Sequence, residues 1–142
     1  MGYDKILIDT NVCLDAIQRR KPYDIQALKI LNLSETKIIK GIISAHTFET
    51  IFYILIRENN IENVYQAIEG LRESVDVATV SKDVIDKALQ LKWPDFEDAI
   101  HYQSALGSKC DAIISRNPQD FIDVEIPVLL PFQFLESIQS DQ

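Results

Sequence analysis

Lys5-Ile6-Leu7-Ile8-Asp9-Thr10-Asn11-Val12 is the stretch that decides the fold. Lys5 to Ile8 is a short apolar run that reads as a buried strand. It stops at a carboxylate, Asp9, and helix-forming residues follow from Asn11 to Gln18. The same alternation recurs downstream. Asp24 is placed to cap a helix through about Asn32. The β-branched run from Lys37 to Ile43 predicts a second strand, and Ser44 is placed to cap a long helix through about Glu58. A helix is expected from Ile61 to Glu73 and a short strand from Val75 to Val80. Ser81 caps a helix carrying Val84, Ile85, Ala88 and Leu91, and Pro94-Asp95 opens another through about Leu106. Asp111 to Ser115 and Val128 to Leu130 read as strands, and Pro131 starts a final helix through about Ile138.

Strands alternating with helices predict an α/β three-layer sandwich, with a central parallel sheet of about four or five strands. At 142 residues the chain reads as a single domain over 1–136, with 137–142 a polar C-terminal tail. No apolar run approaches the roughly 20 residues that cross a bilayer, and a strand begins almost at the N-terminus. The expectation is a cytoplasmic protein with no membrane partner. The two cysteines, Cys13 and Cys110, read as reduced core residues. The net charge of −8 argues against holding nucleic acid by bulk electrostatics. It does not exclude an enzyme whose acids hold cations.

In a parallel α/β sheet, ligands bind beyond the carboxyl ends of the strands. Four acidic positions fall at that edge. Asp9 follows the first strand and, taken alone, reads equally as a helix cap. Glu49 lies on the helix after Ser44. With Ala45, Phe48, Ile51, Phe52, Leu55 and Ile56 as the apolar stripe, Glu49 falls inside its edge, where a carboxylate needs a partner. Asp98, in Trp93-Pro94-Asp95-Phe96-Glu97-Asp98-Ala99, sits at an acid-dense helix start that dipole preference would explain by itself. It also lines up with Tyr102 and Ala105 on the inner side of that helix. Asp120 follows the fourth strand in Ser115-Arg116-Asn117-Pro118-Gln119-Asp120-Phe121, where Asn-Pro signals a turn. Converging carboxylates repel unless cations neutralise them, and hard oxygen donors suit Mg²⁺ or Mn²⁺.

The ordered set of motifs resembles the PIN-domain family across essentially the whole chain. It comprises Ile8-Asp9-Thr10-Asn11-Val12, a Glu on the helix after the second strand, Asp95-Phe96-Glu97-Asp98-Ala99, and Ser115 to Phe121. The ending Ile126 to Pro131, with Phe134-Leu135, is similar to the close of that family's small bacterial members. The resemblance implies a metal-dependent ribonuclease, with VapC-type toxins of toxin–antitoxin pairs among its relatives. By motif, Asp9, Glu49 and Asp98 match the family's main acids, with Asp9 and Asp98 the principal Mg²⁺ or Mn²⁺ ligands and Asp120 the candidate fourth. Asn11 matches the polar residue supporting the first acid. Ser115 stands where Thr is usual, and Asn117 where many members have Asp. The implied partners are an RNA substrate, an antitoxin protein and a second copy of the chain.

Around this set, Arg116 is placed to guide RNA, and Arg19, Arg20 and Lys21 form the densest basic cluster, a guide for RNA or simply a solvated loop. His46 reads as lying on the polar face of its helix, His101 as sharing a helix with Asp98 but pointing differently, and Trp93 as packing. Two rival readings remain open. A phosphatase of the haloacid-dehalogenase type would use Asp9 as nucleophile, but it needs a second Asp where Asn11 stands. A catalytically degenerate PIN-like module would bind RNA or a partner protein without cleavage.

Overall fold

The computed structural model describes residues 2–140. Five strands, β1 (Lys5–Ile8), β2 (Lys40–Ser44), β3 (Asp76–Ala78), β4 (Ala112–Ile114) and β5 (Val128–Leu129), form one all-parallel sheet in the order β3-β2-β1-β4-β5. The connections are helical: α1 (Thr10–Ile17), α2 (Asp24–Glu35), α3 (Ala45–Leu55), α4 (Ile61–Ser74), α5 (Lys82–Leu91) and α6 (Phe96–Gly107), with α7 (Pro131–Ser140) closing the chain. A 3-10 turn, Pro118–Asp120, follows β4.

Alternation along each strand divides the core between the two faces of the sheet. Ile6, Ile8, Ile43, Ala112 and Ile114 point to one face, against Val12, Ala27, Ile51, Val64 and Phe134 of the helices. Leu7, Ile42 and Ile113 point to the other, against Tyr102, Ala105 and Phe121. Strands buried on both faces carry continuous apolar runs rather than alternating ones. The helices α5 and α6 join through Val84, Ala88, Ala99 and Ile100. Trp93 stacks on Tyr102 at 5.4 Å and meets Phe121 edge-on at 5.8 Å, a packing role. Cys13 and Cys110 are buried free thiols. Burial pushes Cys110 up to about 11 and Cys13 higher still.

Several boundaries differ from the sequence expectation. Lys37 takes a left-handed φ of 65°, so the turn after α2 has to finish before β2 can begin at Lys40. Asp24 is buried in the first turn of α2 rather than capping it; Tyr23 occupies the cap without a side-chain bond. The end of the chain is helical through Ser140, with Ile138 packed on the core, so 137–140 is no frayed tail. Asp141 and Gln142 lie outside the described residues. The caps at Ser81 and Asp95 are as expected, each accepting from the backbone N–H three residues on.

Gly41 marks the tightest approach of backbone to side chain. The Ser34 hydroxyl accepts from Gly41 N–H at 3.0 Å and donates to the Ser74 carbonyl. A Cβ at position 41 would stand 2.6 Å from that oxygen and 3.2 Å from Ile8 Cδ1. Gly41→Ala is therefore expected to destabilise the fold by about 2 kcal/mol, read as a lower denaturant midpoint. An unchanged midpoint would show that Ser34 yields without cost.

Candidate active site

The chain runs from β1 outward to β2 and β3, then crosses to the other side of β1 for β4 and β5. The strand order therefore switches direction between β1 and β4, where open α/β sheets form their ligand crevice. Asp9 and Ser115 are the residues that leave those two strands. Asp9 N–H still bonds the Ile114 carbonyl at 3.0 Å, so its carboxylate is held just past the edge. Asp9 occupies the cap position of α1, yet its side chain makes no capping bond. It accepts instead from Ser115 Oγ at 2.9 Å through Oδ2, and Oδ1 lies 3.3 Å from His101 Nε2. Asn117 N–H in turn donates to Ser115 Oγ at 3.0 Å. Ser115 is thus fully engaged in orienting the first acid.

Asp98 comes to the same point from the first turn of α6. Its backbone N–H is held by Asp95 Oδ1 at 3.1 Å, which leaves the carboxylate free to face the crevice. Asp9 and Asp98 are 4% and 7% exposed. Ligand atoms of Asp9, Asp98 and His101 lie within 4.8 Å of one another. Burial, and then the like charges of Asp9 and Asp95, push Asp98 up to about 7, with Asp120 adding to the effect. Two buried carboxylates, the charge of Asp9 opposing ionisation of Asp98, oxygen-rich and close enough to share an ion, fit a hard divalent cation.

The histidines correct the sequence expectation. His101 does not point away from Asp98: residues three apart share a helix face, and both turn to the sheet edge. His101 is fully buried. Its Nδ1 meets Ser44 Oγ at 3.0 Å, and its Nε2 meets Thr10 Oγ1 at 3.2 Å. The Thr10 hydroxyl also reaches Thr47 Oγ1 at 3.3 Å. Burial disfavours the imidazolium, but Asp9 and Glu97 outweigh it and raise His101 to about 9. His46 is not on a solvated face either. Its Nε2 lies 3.6 Å from Glu97 Oε2, and its ring stands 5.0 Å from that of His101. Contacts with His101 and then His46 hold Glu97 well below the usual carboxylate range. The signal for this trio was present as the i, i+4 spacing of Glu97 and His101, but nothing local tied His46 to it.

Ser44, expected to cap α3, spends its hydroxyl on His101, and the helix turns with it. The buried face of α3 is Thr47, Ile51 and Leu55. Glu49 lies two residues from Ile51, about 160° round the helix, and is exposed. The structure does not bring it to Asp9 and Asp98. Asp120 is exposed at the end of the 3-10 turn, near enough for its charge to act on Asp98. Asn11 is half-buried on the first turn of α1. Arg116 is not a free guide for RNA: its Nε sits 2.7 Å from Asp15 Oδ2, its Nη2 donates to Oδ1 at 3.2 Å, and its guanidinium covers Tyr23 at 4.2 Å.

These shifts set a pH dependence. Asp98 titrates at about 7 in the folded chain, against roughly 4 unfolded, and His101 at about 9, against roughly 6.5. Both bind protons more tightly when folded, so their stabilisation is full below the unfolded values and is lost as pH rises through the folded ones. Glu97 runs the other way, and its contribution is lost in acid. The metal-free chain should be most stable near pH 4–5 and lose on the order of several kcal/mol towards pH 9. Added Mn²⁺ should raise the melting temperature more at pH 8 than at pH 6. A flat profile, or a larger shift in acid, would contradict the buried acid pair.

A PIN domain family model matches residues 5–119. Among curated proteins none matches the chain by sequence. Solved structures of similar fold include a toxin–antitoxin complex from Klebsiella pneumoniae, 20% identical at a TM-score of 0.67, covering 89% of this chain and 97% of that one. Another is the DNA-bound VapBC of Salmonella typhimurium, 17% identical at 0.69, covering 90% and 98%. A Mycobacterium tuberculosis VapC toxin that cleaves the sarcin–ricin loop is 17% identical at 0.60, covering 76% and 86%. With the family model spanning most of its length, and with the fold and acid edge described above, this chain belongs to the PIN-domain family.

Proposed function

We propose that the chain is a metal-dependent endoribonuclease, the toxin of a cytoplasmic toxin–antitoxin pair. The observation that carries this reading is the buried Asp9–Asp98 pair at the switch point of the sheet, with Asp98 raised to about 7 by burial and by the like charges of Asp9 and Asp95. Asp9 and Asp98 would hold Mg²⁺ or Mn²⁺, with Asp120 at the rim. When bound, such an ion supplies Lewis-acid activation of water and neutralises charge on the phosphodiester. The chain's own residues prepare that site. Ser115 and His101 fix the two oxygens of Asp9, and the Asp95 cap fixes the α6 backbone from which Asp98 projects. With Arg116 committed to Asp15, the exposed Arg19 and Lys21 are basic residues available to approach phosphate.

The solved neighbours that are toxin–antitoxin complexes support an antitoxin partner. The exposed Tyr53, Ile61 and Tyr65 of α3 and α4 offer apolar surface for it or for a second copy. The second reading, a module that binds RNA without cleavage, is favoured by two observations. Glu49 stays outside the acid pair, and Asn117 brings no charge.

Incubating the purified chain with end-labelled single-stranded RNA and with DNA of the same sequence separates the two. Each is tested with Mg²⁺, with Mn²⁺ and with EDTA. Cleavage of RNA that requires metal supports the nuclease. Binding without cleavage under either metal moves the degenerate module ahead, and cleavage of DNA alone overturns the choice of substrate.

A further inference from the structure

We propose that His46, Glu97 and His101 form a second cation site beside the carboxylate pair, one that selects a borderline-soft ion of the Zn²⁺ class over Mg²⁺. The three present two imidazole nitrogens and one carboxylate, with ligand atoms within 4.8 Å of one another. Glu97 Oε2 lies 3.6 Å from His46 Nε2, and Glu97 Oε1 lies 3.8 Å from His101 Nε2. Both separations exceed a hydrogen bond. The carboxylate thus spans the two rings, one oxygen to each, with room for a cation between them.

An independent observation points the same way. Both ring nitrogens of His46 are themselves shut off from solvent and make no hydrogen bond among the described residues, although the side chain as a whole is 26% exposed. Its Nε2 is aimed at Glu97, which leaves a lone pair available to a cation between the two. The supporting contacts are those of a ligating histidine. Ser44 Oγ engages His101 Nδ1 at 3.0 Å, so the ring is held with Nε2 facing inward.

The site differs in chemistry from the Asp9–Asp98 pair. An all-oxygen set suits Mg²⁺, whereas two imidazoles and a carboxylate suit Zn²⁺ and its neighbours. His101 Nε2 also faces Asp9 Oδ1 at 3.3 Å and Thr10 Oγ1 at 3.2 Å. It has a single lone pair, so it serves one ion at a time. Asp9 and Asp98 retain their oxygens for a hard cation when His101 is taken up by the second site. Filling the second site therefore releases Asp9 from His101, while Ser115 still holds the other oxygen of Asp9.

The test is a titration of the full chain with Co²⁺, a spectroscopic stand-in for Zn²⁺, in excess Mg²⁺, followed by visible d–d absorption and then by displacement with Zn²⁺. One equivalent should bind. His46→Ala and Glu97→Gln should each weaken binding at least tenfold while remaining folded by circular dichroism, and Asp98→Asn should leave it within threefold of wild type. The readout is binding, so it stands apart from whether the chain cuts RNA. Equal affinity in His46→Ala and Glu97→Gln, loss of binding in Asp98→Asn, or no Co²⁺ binding by wild type would each overturn the proposal.

Discussion

Replacing Asp98 by Asn should abolish metal-dependent RNA cleavage, by a factor of at least 10², and at the same time make the metal-free chain more stable at pH 8. The two effects have one cause. Asp98 is 7% exposed and faces Asp9, so its charge is costly until a cation is present. Asn keeps the shape and leaves the backbone bond to Asp95 in place, but removes the charge that attracts the ion. Several kcal/mol of Lewis-acid stabilisation are lost with the ion, and each 1.36 kcal/mol is a factor of ten in rate. Asp9→Asn should lose as much activity without the gain in stability. Asp9 is also the counter-charge of His101 and the acceptor for Ser115, so its removal leaves a buried imidazolium poorly compensated. Cleavage rates and melting temperatures of the two variants, measured side by side, decide the point. Metal-dependent cleavage surviving in Asp98→Asn would remove that residue from the site.

Arg116→Ala should cost about 3 kcal/mol of stability, the largest effect expected from any single charged residue here. Its partner Asp15 is 1% exposed, and burial, the chief influence on it, raises its pKa against the pull of Arg116. Removing one member of a buried, bidentate pair leaves the other charge stranded, at a cost of roughly 3–5 kcal/mol. The lower end is expected because Arg20 remains 3.9 Å away. The Tyr23 ring also loses the guanidinium that covers it. Urea unfolding of Arg116→Ala and of the Asp15→Asn/Arg116→Ala double variant tests this: the second change should recover most of what the first loses. A stable Arg116→Ala that binds RNA more weakly would instead restore the guiding role expected from sequence.

Arg116 and Asp15 also show where reading the sequence stops. They stand 101 positions apart, and nothing local to either names the other. Glu49 fails for a related reason. The helical period of α3 was legible, but its rotation about its own axis was set by Ser44 and Thr47 turning inward to His101 and Thr10. His101 was three residues from Asp98, on a shared face, yet its partners come from β1, β2 and α1. By contrast, the positions of Asp9 and Ser115 at the ends of β1 and β4 are legible because they follow runs that are strands in any context.

The sequence by itself determined the alternation of strands and helices, the parallel sheet, and the edge at which the acids that leave β1 and open α6 gather. Those are consequences of period, capping and strand polarity, which act over a few residues. Only the tertiary structure decided which polar groups meet: Asp9 with His101, His46 with Glu97, Arg116 with Asp15. Such pairings depend on how whole elements dock, because a buried charge is satisfied by whichever donor the packing delivers.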